Sequence, residues 1–181
     1  MRYFNNVNTK TNYGNRGMVL ESDINETNNY YLINNIAVIY KKPTPIKILH
    51  LDYSTNKITN AFFETQSTLD YNGVYKGRYI EFDAKETKSK TSFPLSNIHN
   101  HQIKHIKNII DNDGICFLIV RFVSLDKTFL LFGSDLLEFI NNTDRKSIPL
   151  SFFEERCKTI ELKYSPRLDY IKIINEFMEE K

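Results

Sequence analysis

The sequence predicts a single α/β domain in which a mixed β-sheet is flanked by helices. Three observations carry that prediction. The hydrophobic patterns run helix, several strands, helix, two strands, helix, an order that places helices against a sheet. The chain has 181 residues, enough to bury one substantial core. Hydrophobic residues make up 41% and charged residues 25%, a globular composition without internal repeats or low-complexity blocks.

The elements follow in order. Residues 1–14 are polar, Asn-rich and aperiodic, and are expected to form a flexible N-terminal arm ahead of a domain over 15–181. A helix is expected from about Arg16 to Asn34, burying Met18, Leu20, Ile24, Tyr31 and Leu32, with Asn34 and Asn35 as stop residues. Ile36 to Tyr40 (IAVIY) is β-type and is interrupted by Pro43 and Pro45. Ile46 to Asp52 and Ile58 to Phe63 flank the turn-like Tyr53 to Lys57 and read as a long hairpin. Val74-Tyr75 and Arg78 to Ala84 form the next strand pair, punctuated by Gly73 and Gly77. Residues 96–111 carry Ile98, Ile103, Ile106, Ile109 and Ile110 at helical spacing. Ile115 to Val123 and Thr128 to Phe132 read as buried strands, Ser134 to Asn141 as a short helix, and Leu168 to Met178 as a last helical segment.

Charge and cysteine usage narrow the function only a little. The net charge of +2 does not announce a nucleic-acid binder, so any DNA surface must be concentrated on one face. Lys76, Arg78, Lys85, Lys88 and Lys90 lie close together, while Glu176, Glu179 and Glu180 sit at the far end; on charge alone this equally describes an ordinary solvated surface. Cys116 lies in an apolar run and reads as a core thiol, and Cys157 stands apart. Two cysteines with no CxxC pairing argue against a disulfide framework or a zinc cluster. No secretory apolar region and no run approaching the roughly 20 residues of a membrane span is present, so a cytoplasmic protein without a membrane partner is expected.

The chemistry is concentrated in Asp70-Tyr71-Asn72-Gly73 and the run Arg78 to Thr87. In a strand, residues two apart face the same side, so Tyr79, Glu81, Asp83 and Lys85 share one face while Ile80, Phe82 and Ala84 take the other. Asp-x-Lys with a separate upstream Asp is the layout of metal-assisted phosphodiester hydrolysis. Carboxylate oxygens of Asp70 and Asp83 suit Mg²⁺, and a lysine can orient water or offset charge on a pentavalent phosphate. Alone, Asp-x-Lys is more often a salt bridge on an exposed strand than a nuclease site.

A wider set of blocks resembles the RecU family of Holliday-junction resolvases, within the PD-(D/E)xK nuclease superfamily. These are Asn15-Arg16-Gly17-Met18 with Leu20-Glu21 and Ile24-Asn25; Ala37-Val38-Ile39 through Lys41-Lys42-Pro43-Thr44-Pro45; Asp70 to Tyr75; Tyr79 to Thr87; Phe93-Pro94-Leu95; His101-Gln102; and Pro166-Arg167 with Asp169-Tyr170-Ile171. They occur in order from about residue 15 to 175. The resemblance implies a restriction-endonuclease-like sheet with a protruding β-hairpin stalk at about 43–65. It implies an endodeoxyribonuclease, a homodimer that cuts four-way junction DNA in two symmetric strands during recombination and repair. Mg²⁺ is the implied cofactor, with Mn²⁺ as a substitute, and a RecA-type recombinase is a possible partner. By position it assigns Asp70 and Asp83 to the metal, Lys85 and Glu21 to catalysis, and Gln102 to support. Asp83 stands where many relatives carry Glu. The rival class is a non-catalytic junction-binding protein that modulates a recombinase.

The remaining candidates each have an ordinary use. Arg16, Lys41, Lys42, Lys47 and Lys88 are expected DNA contacts, whose contribution falls with salt; lysines on a projecting edge also block unwanted strand pairing. Tyr53, Phe62 and Phe63 could stack on bases or serve dimer packing. His99, His101 and His105 are read as solvent-facing or DNA-proximal, because no Cys or further acid completes a metal set.

Overall fold

Ile115–Phe122 (ICFLIVRF) is buried at every position. A strand covered on both faces belongs at the centre of a sheet with helices above and below. The structure, a computed structural model, describes residues 17–63 and 68–180. Its elements are α1 (Gly17–Ile33), β1 (Val38–Lys41), β2 (Ile46–Asp52), β3 (Lys57–Phe63), β4 (Tyr71–Tyr75), β5 (Arg78–Thr87), β6 (Ser92–Pro94), α2 (Asn100–Asp111), β7 (Ile115–Phe122), β8 (Lys127–Phe132), α3 (Gly133–Asn142), β9 (Ser147–Pro149), α4 (Leu150–Arg156), β10 (Lys158–Thr159) and α5 (Tyr170–Glu179). A six-stranded sheet runs β1-β4-β5-β7-β8-β10. Only β5 and β7 pair in parallel; every other neighbour in this sheet is antiparallel. The mixed sheet between helical layers is the architecture expected from the sequence.

The two faces carry separate cores. Leu20, Ile24 and Tyr31 of α1 and Tyr170, Ile171 and Ile174 of α5 pack on Tyr71, Phe82, Phe117 and Leu130. On the opposite face Ile106 of α2, Leu136 of α3 and Phe153 of α4 cover Leu118, Val120 and Leu131. Four aromatics occupy one register row across the sheet: Tyr71 pairs with Phe82, Phe82 with Phe117 and Phe117 with Phe132. Tyr71 stacks on Phe82 at 4.8 Å and Phe82 on Phe117 at 4.7 Å between centroids. Such cross-strand pairs hold the register, because a slip of one residue would turn every side chain to the wrong face.

Two backbone positions fix β1 on this sheet. Helix α1 stops at Ile33 because Asn35 takes a left-handed conformation (φ 54°), and the amide of Ile36 donates back to Tyr31 O at 2.9 Å. Gly73 of β4 faces Ile39 so closely that a Cβ there would sit 2.0 Å from the carbonyl oxygen of Val38. Only glycine lets β1 approach.

Among the described residues β2 and β3 pair only with each other, as a hairpin whose turn contains Asn56 at φ 53° and whose β3 side chains are all exposed. It leaves the sheet after Lys42 and the chain is back beside it at Thr68. The β6–β9 ladder, α4 and β10 were not anticipated, being too short for a periodic signal. The helix expected over 96–111 begins at Asn100, after a separate 3-10 turn at Leu95–Asn97 and an extended His99. The expected N-terminal arm and Arg16 lie outside the described residues. No helix among the described residues is long and apolar enough to cross a membrane.

A buried ion cluster ties α1 to the sheet and to the segment before α5. Asp23 accepts from Arg121 Nη2 at 2.9 Å and from both Nε and Nη2 of Arg167 at 3.3 and 3.2 Å. Asp23→Ala would leave the buried Arg121 guanidinium without its carboxylate. A loss of about 3 kcal/mol in urea-unfolding stability is expected; an unchanged midpoint would show the cluster to be dispensable.

Candidate active site

Strand register brings the two predicted aspartates together. Tyr71 lies opposite Phe82 on β4 and β5, so one step further along this antiparallel pair Asp70 comes opposite Asp83. Residues so placed share a face and have Cβ atoms roughly 5 Å apart. The backbone of Asp70 is held from the other side, where Lys42 N donates to Asp70 O at 2.7 Å.

Asp83 is almost fully buried and its carboxylate is fully engaged. Oδ1 accepts from its neighbour's amide, Ala84 N, at 2.9 Å. Oδ2 forms an ion pair with Lys85 Nζ at 2.8 Å and accepts a hydrogen bond from Gln102 Nε2 at 2.8 Å. Gln102 is itself aimed: Nε2 also donates to Thr68 O at 3.2 Å, and Oε1 accepts from His99 N at 3.1 Å at the start of α2. The same-face alternation expected for β5 holds. That face is not open to solvent, however, because α2 covers it, and Glu81 and Asp83 are each only 1% exposed.

Electrostatics set the aspartates apart. Burial pushes Asp70 up to about 6, the charge of Asp83 and a hydrogen bond with it add to the rise, and Lys85 and Lys41 oppose it. Two carboxylates held face to face cannot both ionise cheaply. A divalent cation between them would remove the conflict, so the donor set fits a hard, oxygen-seeking metal. Among the described residues no group of three or more His, Cys, Asp or Glu side chains could hold a metal alone. A hard cation such as Mg²⁺ needs only one or two carboxylates, with water and phosphate completing its shell, so two aspartates would suffice to hold one.

Two residues along β5 lies a second acid. Glu81 Oε1 receives Lys42 Nζ, and Thr68 Oγ1 at 2.9 Å; Oε2 receives Tyr79 OH at 2.7 Å. His105 Nε2 sits 2.9 Å from Oε1, although its geometry is not that of a hydrogen bond. Burial alone would raise the Glu81 carboxyl, but Lys42, His105, Tyr79 and Thr68 together hold it below its usual value. Burial and Glu81 push the Tyr79 hydroxyl up to about 12, which keeps it a donor.

The other predicted residues fall around this centre. Glu21 is on α1, across the sheet, and pairs with Lys41 at 2.5 Å; no hydrogen bond or ion pair joins it to Asp70, Asp83 or Lys85 among the described residues. Lys42 departs from the expected DNA contact: its amine is turned inward onto Glu81 and Thr68, because a buried carboxylate demands a cation. Lys47 stands on the hairpin over the Phe62 ring at 6.0 Å. Lys88 follows β5 and is exposed. His99 and His101 stack at 5.5 Å with both residues exposed, whereas His105 is half-buried against Glu81, which departs from the solvent-facing alternative of the two expected for it. Thr68, Glu81 and His105 were missed. Glu81 alone had a readable signal, as an acid two places before Asp83 on the same strand.

The model of the family described as Recombination protein U (RecU) matches residues 15–176. The chain belongs to the RecU family. It is 52% identical over 173 residues to the Holliday junction resolvase RecU of Pediococcus pentosaceus, covering 92% of this chain and 86% of that protein. It is 49% identical over 175 residues to the Holliday junction resolvase RecU of Lactiplantibacillus plantarum (93% and 84% covered). It is 52% identical over 170 residues to that of Bacillus subtilis (91% and 82% covered). Family membership and site geometry thus rest on separate observations.

The Asp70 carboxyl has a direct consequence for stability. It ionises less readily folded than unfolded, so between about pH 4 and pH 6 the folded state retains a proton that the unfolded state has lost, and stability falls as pH rises. Above both values the penalty is complete. Asp70→Asn is therefore expected to raise the melting temperature in EDTA at pH 7.5 and to change it little at pH 4. Scanning calorimetry at the two pH values checks this; a lower melting temperature at pH 7.5 would contradict the repulsion.

Proposed function

We propose that this protein is a Mg²⁺-dependent endonuclease that resolves four-way (Holliday) DNA junctions by symmetric strand cleavage. The observation that carries the reading is the side-chain contact of Asp70 with Asp83, next to the Tyr71–Phe82 register pair, with Lys85 Nζ 2.8 Å from Asp83. The kinship to proteins named Holliday junction resolvase supplies the substrate.

Asp70 and Asp83 would hold the cation, and Mn²⁺ would substitute for it. When bound, Mg²⁺ polarises a backbone phosphate and lowers the pKa of bound water. The chain's own groups then do the positioning. Gln102 and the Ala84 amide fix the Asp83 carboxylate, so its oxygens do not have to be reoriented when substrate arrives. Lys85 sits where its amine can orient the attacking water or neutralise a phosphate oxygen as negative charge develops. Glu21 would act from the neighbouring α1, through its pair with Lys41. Lys41, Lys47 and Lys88 would contact DNA phosphates, as would Arg16.

A homodimer suits a two-fold junction, since each copy then cuts one of two symmetry-related strands. It is supported by apolar side chains left exposed around the end of α1, the edge strand β1 and the adjoining β4: Leu32, Ile33, Ile36, Val38, Tyr40 and Val74. The projecting β2–β3 hairpin would enter the junction, selecting its shape more than its sequence.

A synthetic four-way junction incubated with protein and Mg²⁺ should be nicked in two opposed strands, and EDTA should stop the reaction. Asp83→Ala and Lys85→Ala should each lower the cleavage rate by about 10³-fold. Gel-shift affinity in metal-free buffer should stay within about threefold of the wild type. Tight binding by the wild type with no nicks would favour a non-catalytic junction binder instead.

A further inference from the structure

Glu81 lies under the catalytic pair and touches neither aspartate, yet it collects donors from both ends of the hairpin. Lys42 is the last residue before the chain departs at Pro43, and Thr68 follows the hairpin, two residues before Asp70. Both reach the same carboxylate oxygen, Glu81 Oε1, and Lys42 Nζ also donates to Thr68 Oγ1 at 2.9 Å, closing a triangle. Tyr79 fixes the other oxygen from the same strand. The triangle connects onward to the site twice. Thr68 O accepts from Gln102, whose Nε2 also holds Asp83, and Lys42 N holds the carbonyl of Asp70. A buried carboxylate that has lost water must keep such partners, so the triangle is a stiff element of this face.

We infer that Glu81 is a positioning residue that clamps the two feet of the β2–β3 hairpin to the catalytic strand, coupling the direction of the hairpin to the placement of Asp70 and Asp83. Outside the triangle little among the described residues holds the hairpin: there β2 and β3 pair with no other strand, and both are mostly exposed. A load on the hairpin is therefore transmitted through Lys42 and Thr68. DNA seated on it would tighten or release the support of the metal-binding pair. The catalytic half of this inference rests on the nuclease reading above, whereas the mechanical half does not.

The test uses the full chain with spin labels at Tyr53→Cys in the hairpin turn and Asn108→Cys on the exposed side of α2, in a Cys157→Ser background. Labelled protein is diluted into excess unlabelled protein so that only distances within one chain are read. Pulsed dipolar spectroscopy is expected to give a narrow distribution, which Glu81→Gln broadens about twofold. Thr68→Val, which removes the hydroxyl and keeps the volume, should act in the same direction and covers the case in which Glu81→Gln does not fold. On a four-way junction with Mg²⁺, either variant should lose at least about tenfold in single-turnover cleavage while metal-free binding stays within about threefold. Distance distributions that superimpose on the reference overturn the clamp, even if cleavage falls. A broadened distribution with unchanged cleavage overturns the coupling. A wild-type chain that nicks no junction sinks the nuclease reading, and the distances still decide the clamp.

Discussion

The site depends on one constraint, the register of β4 against β5. The stacked row Tyr71, Phe82, Phe117 is a large apolar contact shared by three strands, and it can form in only one alignment. One residue further on, the same alignment sets Asp70 against Asp83. Aromatic packing on one face thus enforces a repulsive carboxylate pair on the other. A slip by one residue would relieve the pair, but it would also expose the row, which buries far more apolar surface than the repulsion costs.

The rest of the site is arranged around that enforced pair. Helix α2 closes over the polar face and contributes Gln102, which is aimed by the first turn of its own helix and by Thr68. Lys85 compensates Asp83 from the same strand. Glu81 is compensated from further away by Lys42, which is why a lysine that reads as a DNA contact points inward. The acids Glu81, Asp70 and Asp83 therefore divide into two kinds. Glu81 is saturated by the protein's own donors, while the Asp70–Asp83 pair carries a charge conflict that a cation would resolve.

Much of this was legible. Strand alternation put Glu81, Asp83 and Lys85 on one face, the apolar run at Ile115 gave the central strand, and the two β-type runs on either side of Tyr53 to Lys57 gave the hairpin. The blocks from Asn15 to Ile171 gave the family. What escaped were contacts whose partners are distant in the chain. Nothing local about Thr68 marks it, and His105 looked like one of three surface histidines. The short β6, β9 and β10 have too few residues for a period to show, and exist because partners across the fold complete their hydrogen bonds.

The sequence by itself determined the types and order of the longer elements and the shared face of Glu81, Asp83 and Lys85 on β5, because these follow from periods of two and 3.6 that any local stretch displays, while the resemblance to the RecU family singled out the candidate site residues. Only the tertiary structure decided which of those residues meet. Asp70 and Asp83 become neighbours through strand pairing, Gln102 joins them through the packing of α2, and Lys42 is withdrawn from the surface by a buried acid 39 residues away. The reason is that pairing energy and the cost of burying charge depend on what lies across a gap in space, which no local pattern records.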